Sequence, residues 1–80
     1  MISSTKIQFQ VNSPQNLFVA IYDLSGREVK VLMNKNVEAD KLYDLVWDRK
    51  DGKGSIVQSG GYILRAIGDK VTMARKLSVQ

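Results

Sequence analysis

The segment IYDLSGR, at positions 21–27, joins an alternating apolar run to a turn that contains a glycine. The same arrangement recurs in WDRKDGKG at 47–54 and in SGGYILR at 59–65. Alternating apolar residues that end at Gly, Asn, Asp or Ser are typical of short antiparallel strands joined by turns. These three segments predict an all-β domain whose aspartates and glycines are turn residues.

Apolar residues recur with a period of two outside these segments as well. Ile7, Phe9 and Val11 alternate with polar residues, which predicts a half-buried strand. Residues 17–22 are apolar on both faces, so we expect that strand to be central or covered. Further strands are predicted at 27–33, 43–47, 62–67 and 71–79, together with a short extended segment at 56–57.

The predicted strand at 27–33 is expected to turn Val29, Val31 and Met33 inward, and 34–40 is interpreted as a loop because it has no sustained period. Six or seven short strands, with turns about every 8–12 residues and no helix, are typical of a β-sandwich. Trp47, which is the only tryptophan, is expected in the core between the two sheets. We therefore interpret residues 1–80 as a single all-β antiparallel sandwich domain.

The composition argues against several kinds of function. A chain of 80 residues buries roughly 60% of its unfolded surface, enough for one core. It has no cysteine, so it contains no disulfide and no thiolate metal site. It also has no histidine, which removes the commonest general base and leaves its serines without an activating partner. We expect no enzymatic activity and no cofactor.

The loop at 47–54 invites a comparison with calcium loops, because Asp48 and Asp51 lie among glycines. Calcium requires several oxygen ligands at alternating positions, but Arg49, Lys50 and Lys53 occupy neighbouring slots, where their positive charge repels the ion. The sequence favours a turn capped by aspartates over a metal site.

The net charge of +4 raises the question of a nucleic-acid partner. The basic residues are spread over a strand, a loop and the end of the chain, without exposed aromatic residues between them, so a solvated basic surface is favoured over a nucleic-acid interface. No apolar run reaches the roughly 20 residues that span a bilayer, and no leader follows Met1. The sequence therefore fits either a cytoplasmic protein or a module of a longer exported one.

Phe18 and Tyr22 lie on the strand face opposite Leu17, Val19 and Ile21, so one of the two sets points away from the main core. One interpretation is that loop residues or long lysine stems cover the two rings. The other is that Phe18 and Tyr22 form a docking patch for a neighbouring module or a partner protein.

The order I-Y-D-L-S-G-R-x-V, W-D-x-K-D-G-K-G, S-G-x-Y and R-K-L-x-V, over about residues 5–79, resembles the immunoglobulin-like domain of the flagellar hook-capping protein. It is equally similar to the C-terminal sorting domains of type IX secretion. The residues that match the family's turn and core motifs are Tyr22, Asp23, Gly26, Trp47, Asp48, Asp51, Gly54, Gly60 and Tyr62. Two features depart from the pattern: Arg49 stands where the loop usually has glycine, and the asparagine-proline opening of the sorting domains is missing.

This resemblance implies an immunoglobulin-like sandwich of about seven strands, found at the C-terminal end of exported, extracellular or cell-surface bacterial proteins. It implies a non-catalytic module that sorts, anchors or spaces its carrier through contacts with other proteins. The alternatives are a flagellar hook-cap assembly domain and a carbohydrate-binding module.

Overall fold

The computed structural model describes residues 5–80, and every regular element in that range is a β-strand. The six strands are β1 (Thr5–Phe9), β2 (Gln15–Asp23), β3 (Glu28–Val37), β4 (Tyr43–Trp47), β5 (Gly60–Gly68) and β6 (Thr72–Val79). The described residues include no helix long and apolar enough to cross a membrane.

The strands form two antiparallel sheets that enclose one core. β1 pairs with β4 in a two-stranded sheet, and the other sheet has four strands in the order β3-β2-β5-β6. The all-β sandwich expected from the sequence is confirmed, with six strands in place of about seven. The extended segment at 56–57 contributes only an isolated bridge between Lys50 and Ile56, because glycines at 52, 54 and 60 leave too short a run for a strand.

Trp47 is fully buried and lies at the centre of the core, as the sequence predicts. Its indole meets the ring of Tyr62 edge to face, with ring centroids 5.4 Å apart. The indole Nε1 donates to the backbone oxygen of Lys50 at 3.0 Å, so its one polar atom is satisfied. The other buried apolar side chains of the core are Ile7, Val11, Leu17, Val19, Ile21, Met33, Val37, Leu64, Ala66 and Val79.

The expectation that 34–40 is a loop is wrong for its first half, since β3 runs on to Val37. Val37 pairs with Gln15 and is buried, whereas Asn34, Lys35 and Asn36 are exposed. β3 is an edge strand of its sheet, and solvent-facing edge positions accept polar residues that hide a period of two.

The expectation that Val31 points inward is also wrong. Val19 pairs with Met33 but Ala20 pairs with Val31, so Leu32 is an extra residue in β3. This β-bulge shifts the alternation by one, which turns Val31 outward, where it is 41% exposed. A second shift, between Ile21 and Tyr22, displaces the register again.

Candidate protein-contact surface

The pairing of β2 with β5 collects apolar side chains on the sheet face that points away from the core. Phe18 lies opposite Ile67 and Tyr22 lies opposite Ile63 in this antiparallel pair. Since side chains alternate across a sheet, all four lie on the face opposite the buried Leu17, Val19 and Ile21. The structure thus places the two predicted docking residues together on the outer face of a central strand.

We call the outward-facing residues Phe18, Tyr22, Val31, Ile63 and Ile67 the outer patch. Val31 joins it from β3 because it pairs with Ala20, which also faces outward. Val31 is 41% and Ile67 42% exposed, and the other three are half-buried. Ala20, in the middle, is completely covered by its surroundings. The outer patch is therefore a continuous apolar strip across three strands.

Two basic side chains lie on the same sheet face, Arg65 between Ile63 and Ile67 and Lys76 beside Ile63. Arg65 lies opposite Ala20 on β5 and holds its guanidinium 5.5 Å from the centroid of the Tyr22 ring. Lys76 of β6 lies opposite Ile63 and is exposed. Apolar and basic side chains therefore lie together on this sheet face, a composition that protein interfaces also show. The residue that lies over Tyr22 is thus a strand arginine and not one of the loop residues or lysine stems expected from the sequence.

Asp23 of the predicted motif caps the β2–β3 turn. Its Oδ1 accepts from the Ser25 hydroxyl at 2.7 Å and from the backbone N–H groups of Ser25 and Arg27 at 3.0 and 2.9 Å. These hydrogen bonds, that from the Ser25 side chain first, lower the pKa of Asp23 from its usual 3.8. Gly26, a predicted turn residue, has a positive φ of 92°, which closes the turn.

Asp51 and Asp48 act in the same way in the 47–54 loop. Oδ1 of Asp51 accepts from the backbone N–H groups of Ser55 and Lys53 at 3.0 and 2.9 Å, and these bonds lower its pKa. At Asp48 desolvation opposes ionisation, but hydrogen bonds from the Lys50 backbone and the Lys30 ammonium outweigh it, so its pKa is also lowered. Asp51 accepts from backbone groups of the loop itself, whereas Asp48 accepts from the loop and from Lys30 of β3.

Arg49 has a φ of 63°, a left-handed backbone conformation that residues other than glycine rarely adopt. This is the position where the related loops usually carry glycine, and the structure supplies the reason: the turn needs a left-handed residue there. The Nε atom of Arg49 is buried and finds no hydrogen-bond partner among residues 5–80. The loop therefore carries a strained residue at its base, where the Arg49 oxygen accepts from the Val57 N–H at 2.9 Å.

The remaining motif residues hold the sandwich together and do not converge on one site. Tyr62 packs on Trp47 and donates its hydroxyl to the backbone oxygen of Gln58 at 2.6 Å. Gly54 and Gly60 lie at turns with positive φ. Sequence reasoning missed Val31, Ile63 and Ile67 as members of the outer patch. Ile63 and Ile67 were detectable, because residues 62–67 are apolar on both faces as residues 17–22 are.

Comparison with known proteins gives structural likeness only. The sequence matches no protein-family model and no curated protein. Over 99% of its length the chain is similar in fold to part of latent, dimeric PorU from Porphyromonas gingivalis, with a TM-score of 0.72 and 22% identity. Over 96% of its length it is similar to FlgD from P. aeruginosa, with a TM-score of 0.68 and 26% identity.

The chain spans 8% of the PorU chain and 61% of the FlgD chain. These two neighbours represent the two groups of proteins that the sequence motifs resemble, and the likeness is one of fold. The chain thus has an all-β sandwich fold that is similar to part of each of these two longer proteins.

Proposed function

We propose that this domain is a non-catalytic module of an exported bacterial protein that sorts, anchors or spaces its carrier at the cell surface through protein contacts. The observation that carries the proposal is the outer patch, an apolar strip on the sheet face that the core does not use. Its residues come from three strands, with Arg65 between Ile63 and Ile67 and with Lys76 beside Ile63. Exposed apolar strips of this kind mark protein interaction sites.

Two further observations support a role through contacts. The turn aspartates are engaged in hydrogen bonds to their own loops, which leaves them poorly placed to act on a substrate. The fold likeness to PorU covers nearly the whole chain but only a small part of PorU, as expected for one module of a long multidomain protein.

The second candidate is an assembly domain of a flagellar hook cap. It is favoured by the likeness to FlgD, where identity is 26% and the chain corresponds to more than half of the FlgD chain. In that role the outer patch would contact a flagellar subunit.

The test is to attach residues 1–80 to the C-terminus of an exported fluorescent reporter in a bacterium with type IX secretion, and to locate the reporter by cell fractionation. We expect it at the cell surface, whereas the reporter without the domain stays in the periplasm. Periplasmic retention of a correctly folded fusion would refute sorting. Co-purification of that retained fusion with hook subunits would establish the hook-cap alternative.

Two variants test the outer patch in the same assay. Phe18→Ser with Tyr22→Ser removes the predicted docking rings, and Val31→Ser with Ile67→Ser removes the two most exposed members while leaving the half-buried rings in place. The matched control is Val46→Ser with Ile56→Ser, two apolar residues that are each 57% exposed outside the patch. Surface delivery should fail for folded patch variants and persist in the control, because apolar anchors dominate small interfaces.

A further inference from the structure

The two sheets of the sandwich are unequal, and this leaves a groove at one side. The two-stranded sheet approaches the larger sheet at β3, whose Cα atoms come within 8 Å of those of β4. No Cα atom of β1 lies within 8 Å of one in β6. The space between them is an open apolar groove of about 270 Å³. Its lining residues include Ile7, Phe9, Leu64, Ala66, Met73 and Arg75.

The groove runs along an unpaired strand edge. Within residues 5–80, β1 pairs only with β4 and β6 pairs only with β5, so each has one edge without a partner strand. The Cα atoms of β1 and β6 are more than 8 Å apart and the groove between them is open, so the free edge of β1 is accessible to a further strand at the usual spacing of about 4.8 Å. The five residues of β1 offer about 17 Å of edge.

The floor of the groove would receive the inward side chains of such a strand. Met73 is 42% exposed there although it faces inward, opposite the buried Ala66. Met73 therefore offers an apolar surface against which a side chain of a bound strand can pack. Its flexible thioether adapts to side chains of different shape.

The charges on β1 and β6 indicate which kind of strand can bind in the groove. β1 carries Lys6, β6 carries Arg75 and Lys76, and neither strand has an acidic residue. A second copy of this chain would bring equal charges together, and the net charge of +4 opposes its approach. An apolar strand with an acidic side chain near Arg75 meets no such repulsion.

We propose that the free edge of β1 is a strand-addition site that accepts an extended segment of a partner protein, with apolar residues at alternate positions and an acidic residue facing Arg75. Backbone hydrogen bonds to β1 supply affinity, and the groove supplies specificity because it binds the alternate side chains of the segment. The bound segment becomes the third strand of the smaller sheet. The site is a different surface from the outer patch, so its failure would leave the proposed function untouched.

The test uses a fluorescein-labelled peptide of alternating threonine and valine that begins with glutamate, placing glutamate and the valines on one face. Fluorescence anisotropy measures its binding, and amide NMR locates it. We expect saturable binding, with the largest shifts at β1 and at the Met73 methyl group. The same peptide with one central proline should not bind, because proline removes a strand hydrogen bond.

Arg75→Glu should weaken binding of the glutamate peptide by at least about tenfold and strengthen binding of a peptide that begins with lysine. The matched control is Lys76→Glu, which makes the same charge change on the opposite face of β6 and should alter affinity by no more than about twofold. Absence of saturable binding, equal binding to Arg75→Glu, or shifts confined to the outer patch would each overturn the proposal. So would a concentration-dependent dimer in sedimentation that Arg75→Glu abolishes.

Discussion

Replacing Arg49 with glycine should make the domain more stable, although it removes a whole side chain. The φ of 63° places the Cβ of Arg49 against its own backbone, which costs roughly 1–2 kcal/mol for a residue other than glycine. Glycine removes that cost but gains freedom in the unfolded chain, which gives back about 0.4–1 kcal/mol. The difference lies between zero and about 1.6 kcal/mol, with a midpoint near 0.8 kcal/mol of stabilisation, or about 3–6 °C in Tm for a domain of this size.

A second variant separates the backbone from the side chain. Arg49→Ala removes the buried Nε that has no partner in the described chain, but it keeps a Cβ at positive φ. Arg49→Gly should therefore exceed Arg49→Ala by about 1 kcal/mol. Lys50→Gly is the control, because Lys50 is not among the residues with positive φ, and glycine there should destabilise by about 1 kcal/mol.

Urea and thermal unfolding followed by far-UV circular dichroism measure these differences without relying on the nearby indole. Equal stability of Arg49→Gly and Arg49→Ala would refute the reasoning, since it would mean that the loop does not impose a left-handed residue at this position.

Four further outcomes are expected. Trp47→Ala should lower the free energy of unfolding by about 3–5 kcal/mol in urea titrations, because it empties the centre of the core; a red-shifted, easily quenched Trp47 emission in the native protein would contradict that burial. Gly26→Val should cost more than about 1 kcal/mol, since φ is 92° there, and an unchanged Tm would show that the turn tolerates a side chain. The pKa values of Asp23 and Asp51 are lowered from 3.8, so the stability that they contribute is complete above pH 3.8 and is lost as the pH falls through their folded-state pKa values; replacing both with asparagine should flatten this acid limb in a pH series of unfolding curves. Melting in EDTA and in millimolar calcium should give the same Tm, and a rise of several degrees with calcium would identify the 48–54 loop as a metal site.

The sequence was informative wherever one physical requirement dominated a position. Trp47 is predicted to be buried because a strand with alternating apolar residues delivers it inward, and Gly26 is predicted to be a turn residue because an apolar run ends there. Both predictions are confirmed by the structure. The docking role of Phe18 and Tyr22 stays a prediction, since their placement on one face is necessary for it but does not test it.

The errors arose where long-range pairing overrides local pattern. The second half of β3 is polar and lacks a period because it lies at the edge of its sheet, so its strand character comes from its partner β2. Val31 points outward because of a bulge at Leu32, and nothing in the local sequence marks an extra residue there. The segment at 56–57 has β-branched residues but no strand beside it for more than one bridge.

The two register shifts in the pairing of β3 make the two edge strands of the larger sheet different. Bulges twist an edge away from further pairing, and Lys30 and Lys35 on the same strand discourage it again. β6, at the opposite end, keeps an unbroken register over its whole length. Addition of a strand to the larger sheet is therefore less favourable at β3 than at β6, where only the basic residues Arg75 and Lys76 oppose it.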